Sequence, residues 1–329
     1  MKKIIEALAA AVIILTIVAL SYFYLQFKPA KQIQWGVTFS RPQAEYLGYD
    51  WKTMYLDILN DLQPKNLRLV TYWETMEAQP GLWYFQDVDE MLAEADKRGL
   101  NVTLVVGEKA PRWPECHDPA WYAPLSESDK TAARVAMVKM AADHFKSHSS
   151  IKRWQLEDMP LDNSGSCSAI SSDLLKLEYD TLRGVDPRPV VITANGSAAS
   201  WVATAKLYPD ILGVSMYRVV RSNRLGYFEY PVPPGVFRIK AGIAQTFAGT
   251  EKIIGSEIQA EPWFNEDVFH TDLNEQYALM NPKIFTNNVR YARRVGFAEN
   301  YLWGVEWWYW MAHQNNDWGM WNAAKEVLK

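Results

Sequence analysis

Short apolar runs alternate with longer amphipathic segments along most of this chain, from Ile33 to its end. This alternation is typical of a parallel β/α protein, because each buried strand needs a crossover helix before the next parallel strand. Eight such units favour a closed (β/α)8 barrel, the TIM barrel, over an open sheet. The predicted strands cover residues 33–39, 66–72, 101–107, 151–157, 189–194, 211–216, 252–257 and 301–307.

The N-terminal segment carries no charged side chain over residues 7–27, between Glu6 and Lys28. An uncharged run of this length crosses a hydrocarbon core of about 30 Å as a transmembrane helix. We therefore expect residues 1–31 to form a membrane anchor with a short linker, and residues 32–329 to form one barrel domain outside the cytoplasm. The alternative is a signal peptide that is cleaved near the small residues Ala19 and Ser21, which would release a secreted protein.

The composition limits the classes of partner. The 329 residues carry a formal net charge of −4, which offers no basic surface for nucleic acid. The chain holds 15 Trp, 17 Tyr and 12 Phe residues. Aromatic side chains at strand ends suit ligands with apolar faces and hydroxyl rims, such as sugars. We expect a monomer that binds carbohydrate.

Motifs of other enzyme classes are missing from the sequence. It contains no Gly-rich phosphate loop and no Gly-x-Ser-x-Gly elbow. Among the five histidines, His144 and His148 have a metal-like spacing, but the polar Ser149 and Ser150 that follow favour a solvated outer helix. The sequence therefore predicts neither a cofactor nor a metal.

Two of the predicted strands end in acidic residues, about a hundred positions apart. The strand 252–257 ends at Glu257, and the strand 151–157 ends at Glu157, with Asp158 next. The carboxyl ends of barrel strands carry the functional groups of such proteins. Two carboxylates from different strands are what a retaining glycosidase needs, because one attacks the sugar and the other protonates the leaving oxygen.

Several segments at the predicted strand ends form an ordered set. They read GVTF at 36–39, LRL at 67–69, YW at 72–73, PRWPECH at 111–117, MYR at 216–218, SE at 256–257 and LWGVEWW at 302–308. In this order and at barrel spacing, the chain resembles a clan A glycoside hydrolase of the family 5 cellulase or β-galactosidase-like kind. The resemblance spans essentially all of residues 33–329.

The resemblance implies roles for individual residues. Glu257 would be the nucleophile, and Arg68 and Tyr217 would hold its carboxylate ionised and oriented. This fits elementary electrostatics, because a nearby cation and a hydroxyl donor both favour the charged form.

The resemblance also implies an aromatic floor under the sugar, formed by Trp307, or alternatively by Trp303 or Trp308. The residues expected to contact or hold the substrate site are Arg68, Trp73, Trp113, His117, Tyr217, Trp263, Trp303, Glu306 and Trp307.

The fourth strand departs from the family pattern at the acid. Such enzymes normally end this strand with Glu-Asn-Glu-Pro, in which the second Glu is the acid/base. Here Asp158 takes the Asn place and Met159 takes the acid place. Methionine cannot donate a proton, and a general acid usually contributes about 10²–10⁴ in rate. Because side chains alternate along a strand, Glu157 should point to the same side as residue 159 but lie deeper in the barrel. Asp158 should point to the other side.

Three interpretations of Met159 stay open. The chain is a catalytically impaired protein that still binds glycan, or it performs a different reaction on the same scaffold. In the third interpretation, a displaced carboxylate supplies the proton. The candidates are Glu157, Asp158, Glu108, Glu115 and Glu261.

The chain has two cysteines, Cys116 after the third predicted strand and Cys167 after the fourth. Neighbouring strands place these loops side by side at the barrel rim, and an oxidising compartment favours a disulfide between them. We expect this bridge to fix the loops that wall the sugar site.

Overall fold

The computed structural model describes residues 2–163, 165–207, 210–222, 224, 226–263 and 267–329. Its strands are β1 Gln34–Phe39, β2 Asn66–Val70, β3 Asn101–Val106, β4 Ile151–Leu156, β5 Val190–Ala194, β6 Ile211–Met216, β7 Val219–Ser222, β8 Gly226–Glu229, β9 Lys252–Gln259 and β10 Glu299–Trp303. Eight of them form a closed parallel barrel in the order β1-β10-β9-β6-β5-β4-β3-β2. The predicted barrel is therefore confirmed. The strands β7 and β8 form a separate two-stranded antiparallel sheet, which was not predicted from the sequence.

Helices follow the strands and cover the outside of the barrel. A π-helical turn, Ile58–Leu62, extends the third of them. The helices are α1 Lys2–Gln26, α2 Arg41–Tyr46, α3 Trp51–Asp57, α4 Trp73–Met76, α5 Gln86–Lys97, α6 Glu127–Phe145, α7 Ser172–Val185, α8 Trp201–Ala205, α9 Pro234–Ala248, α10 Leu273–Leu279, α11 Pro282–Val295, α12 Val305–Gln314 and α13 Gly319–Leu328.

The last barrel strand is shorter and begins earlier than predicted. The prediction of a strand over 301–307 is wrong, because β10 ends at Trp303 and α12 begins at Val305. Gly304 makes this change of direction with φ +128°, and a Cβ at this position would lie 2.5 Å from the Cβ of Glu261. A short apolar and aromatic run does not distinguish a buried strand from a buried helix. Glu306 therefore lies in the first turn of a helix.

Polar side chains occupy much of the inside of the barrel, beside a small apolar cluster of Val191, Ile211 and Ile254. Arg153 makes an ion pair of 2.9 Å with Glu299, whose carboxylate also accepts a hydrogen bond of 2.7 Å from the hydroxyl of Tyr301. The Tyr301 hydroxyl lies 3.1 Å from that of Thr103, across the barrel. The alternate side chains of the same strands point outward and are fully buried in the apolar core under the helices; they include Leu67, Leu69, Leu104, Leu156 and Ile192.

The described side chains of helix α1 are exposed, apart from that of Phe23. By length and composition its segment Ile4–Gln26 could cross a membrane, although a signal sequence would pass the same test. The C-terminal end of α1 packs on α9. The rings of Phe23 and Phe247 lie 5.6 Å apart, and Arg238 donates a hydrogen bond of 2.9 Å to the hydroxyl of Tyr24. The end of this apolar helix is therefore attached to the barrel surface.

Candidate active site

One guanidinium group joins two carboxylates inside the barrel mouth. Arg68 on β2 donates a hydrogen bond of 2.8 Å to Glu257 on β9 and one of 2.7 Å to Asp158, which follows β4. A third donor of the same guanidinium, Nε, reaches Gln155 at 2.8 Å. The Tyr217 hydroxyl lies 3.3 Å from the second oxygen of Glu257. Arg68, Asp158, Gln155 and Glu257 are all buried.

The environment of Glu257 favours its protonated form. Burial, and then the negative charge of Asp158, raise the pKa of the Glu257 carboxyl from 4.5 to about 7, although Arg68 acts in the opposite direction. We expected Arg68 and Tyr217 to hold this group ionised. The structure places both partners as expected, but one buried cation is shared by two carboxylates, so the carboxyl is only partly ionised near pH 7.

Glu157 and Asp158, at the end of β4, point in the directions opposite to those predicted. Glu157 points outward, where it accepts hydrogen bonds from the backbone N–H groups of Glu108 and Lys109 and pairs with Arg134 at 3.3 Å. Asp158 points into the mouth. Glu157 has a φ of +57° and Met159 a φ of +44°, so the backbone has left the extended conformation and the alternation of a strand no longer applies.

Asp158 is fixed by its neighbours on β4 and β5. Besides Arg68, its Oδ1 accepts hydrogen bonds from Gln155 at 2.9 Å and from the hydroxyl of Thr193 at 3.0 Å. The same Thr193 oxygen accepts a bond of 2.7 Å from the backbone N–H of Met159. Gln155 and Thr193 were not predicted from the sequence. The signal was a polar residue at an inward position of an otherwise apolar buried strand.

A loop over residues 110–115 crosses the barrel mouth. It follows β3, yet the guanidinium of Arg112 pairs with Glu261, beyond β9, and with Glu306, at 2.5 Å, on α12. Since β3 and β9 lie four strands apart around the barrel, this contact spans the opening. Arg112 also lies 4.2 Å above the ring of Trp303. The loop therefore covers the carboxylates beneath it. Arg112 was not among the predicted site residues.

Trp307, which we predicted to form the aromatic floor under the sugar, has a buried ring. Trp307 and Trp308 lie on α12, and both rings are buried. The indole N–H of Trp307 donates a hydrogen bond of 3.0 Å to Gln276, and that of Trp308 donates one of 2.6 Å to the carbonyl of Ala260. Trp303, at the end of β10, is the tryptophan of this group that lies at the mouth, because α12 starts after it. The guanidinium of Arg112 covers the Trp303 ring.

Other residues predicted to contact substrate divide into two groups. Trp73 and His117 are buried; Trp73 bonds to Glu77 at 2.9 Å, and His117 contacts the carbonyl oxygen of Arg112 at 3.1 Å. These two side chains are therefore packed within the protein beside the mouth. Trp113 and Trp263, by contrast, have exposed fractions of 79% and 51%. Both remain available as flat surfaces for a ligand.

Cys116 and Cys167 form a disulfide, with their Cα atoms 5.3 Å apart. The bond joins the loop after β3 to the loop after β4. The carboxylates of Glu108 and Asp118 come within 4.8 Å of the Cys116 sulfur, which is a spacing that suits a metal ion. The disulfide uses this sulfur, so the group lacks the thiolate that a metal would need.

Replacing Glu257 by Gln should stabilise the fold at alkaline pH. The pKa of this carboxyl is about 7 in the folded protein and 4.5 ordinarily, so the native state retains a proton that the unfolded chain loses between these values. The stability that this protonation contributes is present at low pH and is lost as the pH rises through 7. At about pH 8, the free energy of unfolding of Glu257→Gln should exceed that of the unmodified chain by about 2–3 kcal/mol.

Urea unfolding in detergent at about pH 8 and pH 4 measures this difference, which should vanish at the lower pH. The exposed Glu275→Gln is the matched control. If Glu257→Gln is less stable than the unmodified chain at pH 8, the pKa of Glu257 is not raised in the folded protein.

Comparisons with known proteins support the barrel. No family model matches the sequence, and no curated protein matches it. Among solved structures, GH5_18 from Bifidobacterium longum is 12% identical with a TM-score of 0.60, over 83% of this chain and 70% of that one. A β-galactosidase from Bacillus circulans sp. alkalophilus is 12% identical with a TM-score of 0.57, over 82% of this chain and 50% of that one.

Endo-glycoceramidase II from Rhodococcus sp. is 14% identical with a TM-score of 0.54, over 82% of this chain and 73% of that one. This chain thus spans about half the length of the Bacillus enzyme. At such low identity the likeness concerns the fold. The chain shares its eight-stranded parallel barrel with glycoside hydrolases of clan A.

Proposed function

We propose that the protein is a retaining glycoside hydrolase that acts on an oligo- or polysaccharide, with Glu257 as its nucleophile. The observation that carries this proposal is the position of Glu257. It lies near the carboxyl end of a barrel strand, where Arg68 and Tyr217 hold its two oxygens. A carboxylate fixed in this way can attack a sugar carbon and form a glycosyl ester.

The comparisons support the substrate class. The solved structures with this barrel include a β-galactosidase, an endo-glycoceramidase and a GH5_18 variant in complex with Manβ1-4GlcNAc. The mouth of this chain offers the exposed rings of Trp113 and Trp263, and aromatic surfaces of this kind suit the apolar faces of sugars.

A second candidate function is glycan binding without turnover. Two features favour it: the family resemblance puts Met159, which cannot donate a proton, at the place of the acid, and the Arg112 loop spans the mouth. The two candidates differ in one outcome. A binding protein retains glycan but cleaves no glycoside, including those with leaving groups that need no protonation.

Activated glycosides should be cleaved through Glu257. We expect turnover of at least one of the 2,4-dinitrophenyl β-glycosides of galactose, glucose, mannose and xylose, because this leaving group departs without acid assistance. Glu257→Gln should lower kcat by at least about 10³-fold. Because the nucleophile must be ionised, kcat/KM should fall about tenfold per pH unit below about pH 7.

The control for this experiment is Glu275→Gln, which changes an exposed carboxylate. A 2-deoxy-2-fluoro analogue of the same glycoside should add its sugar mass to the peptide that contains Glu257. If Glu257→Gln retains full activity on every glycoside that the chain cleaves, the nucleophile is another residue. If no glycoside is cleaved but glycan is retained, the binding function replaces the hydrolase.

We also propose that α1 anchors the protein in a membrane and that the barrel lies outside the cytoplasm. The length and hydropathy of Ile4–Gln26 support the anchor. The disulfide between Cys116 and Cys167 supports an oxidising compartment, in which such bonds persist. Release after signal cleavage is the alternative.

The full-length chain should resist extraction from membranes by carbonate. Paired substitutions Ile14→Arg and Leu15→Arg should release it, because each central arginine costs about 2.5–3.5 kcal/mol in insertion. The control pair, Leu25→Arg and Gln26→Arg, lies at the end of the span and should stay in the membrane. Recovery of a shortened, soluble chain whose N-terminus begins near Ser21 would show a cleaved signal instead.

A further inference from the structure

The last turn of α1 is packed closely against α9. A Cβ at Gly242 would lie 1.9 Å from the carbonyl oxygen of Phe23, so the close approach of the two helices requires a glycine at this position. The Phe23 ring lies 5.6 Å from the ring of Phe247, at the other end of the contact, and the exposed fraction of Phe247 is 58%. Because α1 is the proposed anchor, the α9 side of the barrel should lie at the bilayer surface.

A cavity of about 490 Å³ lies on this side of the barrel, between residues 231–234 and α11. Three arginines line it: Arg218, which follows β6, and Arg290 and Arg294 on α11. Among the described residues that line the cavity, Glu229 is the one carboxylate, and it pairs with Arg218. The lining side chains thus carry three positive charges and one negative charge, which makes the cavity complementary to an anion.

The two arginines of α11 have no acidic partner in the described part of the chain. Arg290 donates a hydrogen bond of 3.1 Å to the side-chain oxygen of Asn287, one turn earlier on the helix. Arg290 and Arg294 are both exposed. Their spacing of four residues places them on one face of α11, where two like charges destabilise a helix. An anion bound between the two guanidinium groups would relieve this repulsion.

The cavity adjoins the end of the proposed anchor in two places. Pro234 lines the cavity, and a Cβ at the next residue, Gly235, would lie 3.5 Å from the ring of Tyr24 in the last turn of α1. The guanidinium of Arg238 donates a hydrogen bond of 2.9 Å to the Tyr24 hydroxyl and another to the carbonyl of Arg294. Tyrosines at the end of a transmembrane helix lie at the level of the lipid headgroups. The cavity should therefore lie at the same level.

We propose that this cavity binds the phosphate of an anionic phospholipid, such as phosphatidylglycerol, with Arg290 and Arg294 as its ligands. This inference rests on the proposed membrane anchor. Guanidinium groups donate paired hydrogen bonds whose geometry matches phosphate oxygens. A headgroup with a net negative charge suits the excess of positive charge in the cavity, whereas the ammonium group of phosphatidylcholine is repelled by it. The bound lipid holds the α9 side of the barrel on the bilayer, in addition to α1.

Lipid binding to the full-length chain in detergent tests this proposal. Titration with phosphatidylglycerol, followed by native mass spectrometry, resolves each bound lipid and gives the affinity for the first one. The paired substitutions Arg290→Gln and Arg294→Gln should weaken this affinity by about tenfold or more, because two charge-assisted hydrogen-bonding groups are lost. Phosphatidylcholine should bind to the unmodified chain about tenfold more weakly than phosphatidylglycerol, since its headgroup has no net charge.

Two further pairs make the result specific. Lys283→Gln with Arg293→Gln removes the same charge from exposed positions of α11 that are not among the residues lining the cavity, and it should bind phosphatidylglycerol as the unmodified chain does. Arg290→Lys with Arg294→Lys keeps both charges without the guanidinium forks and should recover part of the affinity. Equal urea midpoints show that the variants are folded.

Inorganic phosphate distinguishes a lipid site from a site for a soluble anion. At the concentration of the lipid it should not displace phosphatidylglycerol, because the acyl chains of the lipid remain in the micelle beside α1. Displacement by phosphate, or an equal loss of affinity in the Lys283 and Arg293 control pair, would overturn the proposal.

The anchor and the lipid site can fail separately. If carbonate leaves the full-length chain in the membrane but the Arg290 and Arg294 glutamine pair binds phosphatidylglycerol as tightly as the unmodified chain, the anchor stands and the lipid site is wrong. If carbonate extracts the full-length chain, the anchor fails, and the lipid site fails with it.

Discussion

The guanidinium of Arg68 is the interaction on which the site depends. Its three bonded nitrogens reach three partners, Gln155, Asp158 and Glu257, and so connect β2 with β4 and β9 across the barrel interior. Lysine could not replace it, because only the planar fork of arginine directs several donors at once in fixed directions. Without this cation, two buried carboxylates would remain uncompensated, which costs several kcal/mol.

The same arrangement recurs twice more, once across the mouth and once outside the barrel. Arg112 holds Glu261 and Glu306, and Arg134 holds a cluster of acids outside the barrel. In each case one guanidinium group pairs with at least two carboxylates. Burial then raises the pKa of several of these acids, including Glu257. Such a site can retain and transfer protons near neutral pH, which acid-base chemistry on a sugar requires.

The barrel could be predicted from the sequence because each buried parallel strand has a simple pattern, a short apolar run between amphipathic helices. The position of Glu257 at the mouth was also predictable, since a single carboxylate follows an apolar run; its role as nucleophile stays a prediction. The end of β4 was not, because the positive φ values at Glu157 and Met159 reverse the facing of Asp158, and side-chain alternation carries no information there. The contacts of Arg112 across the opening could not be predicted either. They depend on the conformation of its loop and on Glu261 and Glu306, about 150 and 190 residues away in the sequence.

A crystal structure of the protein after reaction with a 2,4-dinitrophenyl 2-deoxy-2-fluoro glycoside tests the central claim most directly. The account predicts a covalent bond between the anomeric carbon and a carboxylate oxygen of Glu257, with Arg68 still bonded to the other oxygen and to Asp158. Sugar density bonded to a different residue, or bound away from β9 while Glu257 keeps its contacts with Arg68 and Tyr217, would contradict it.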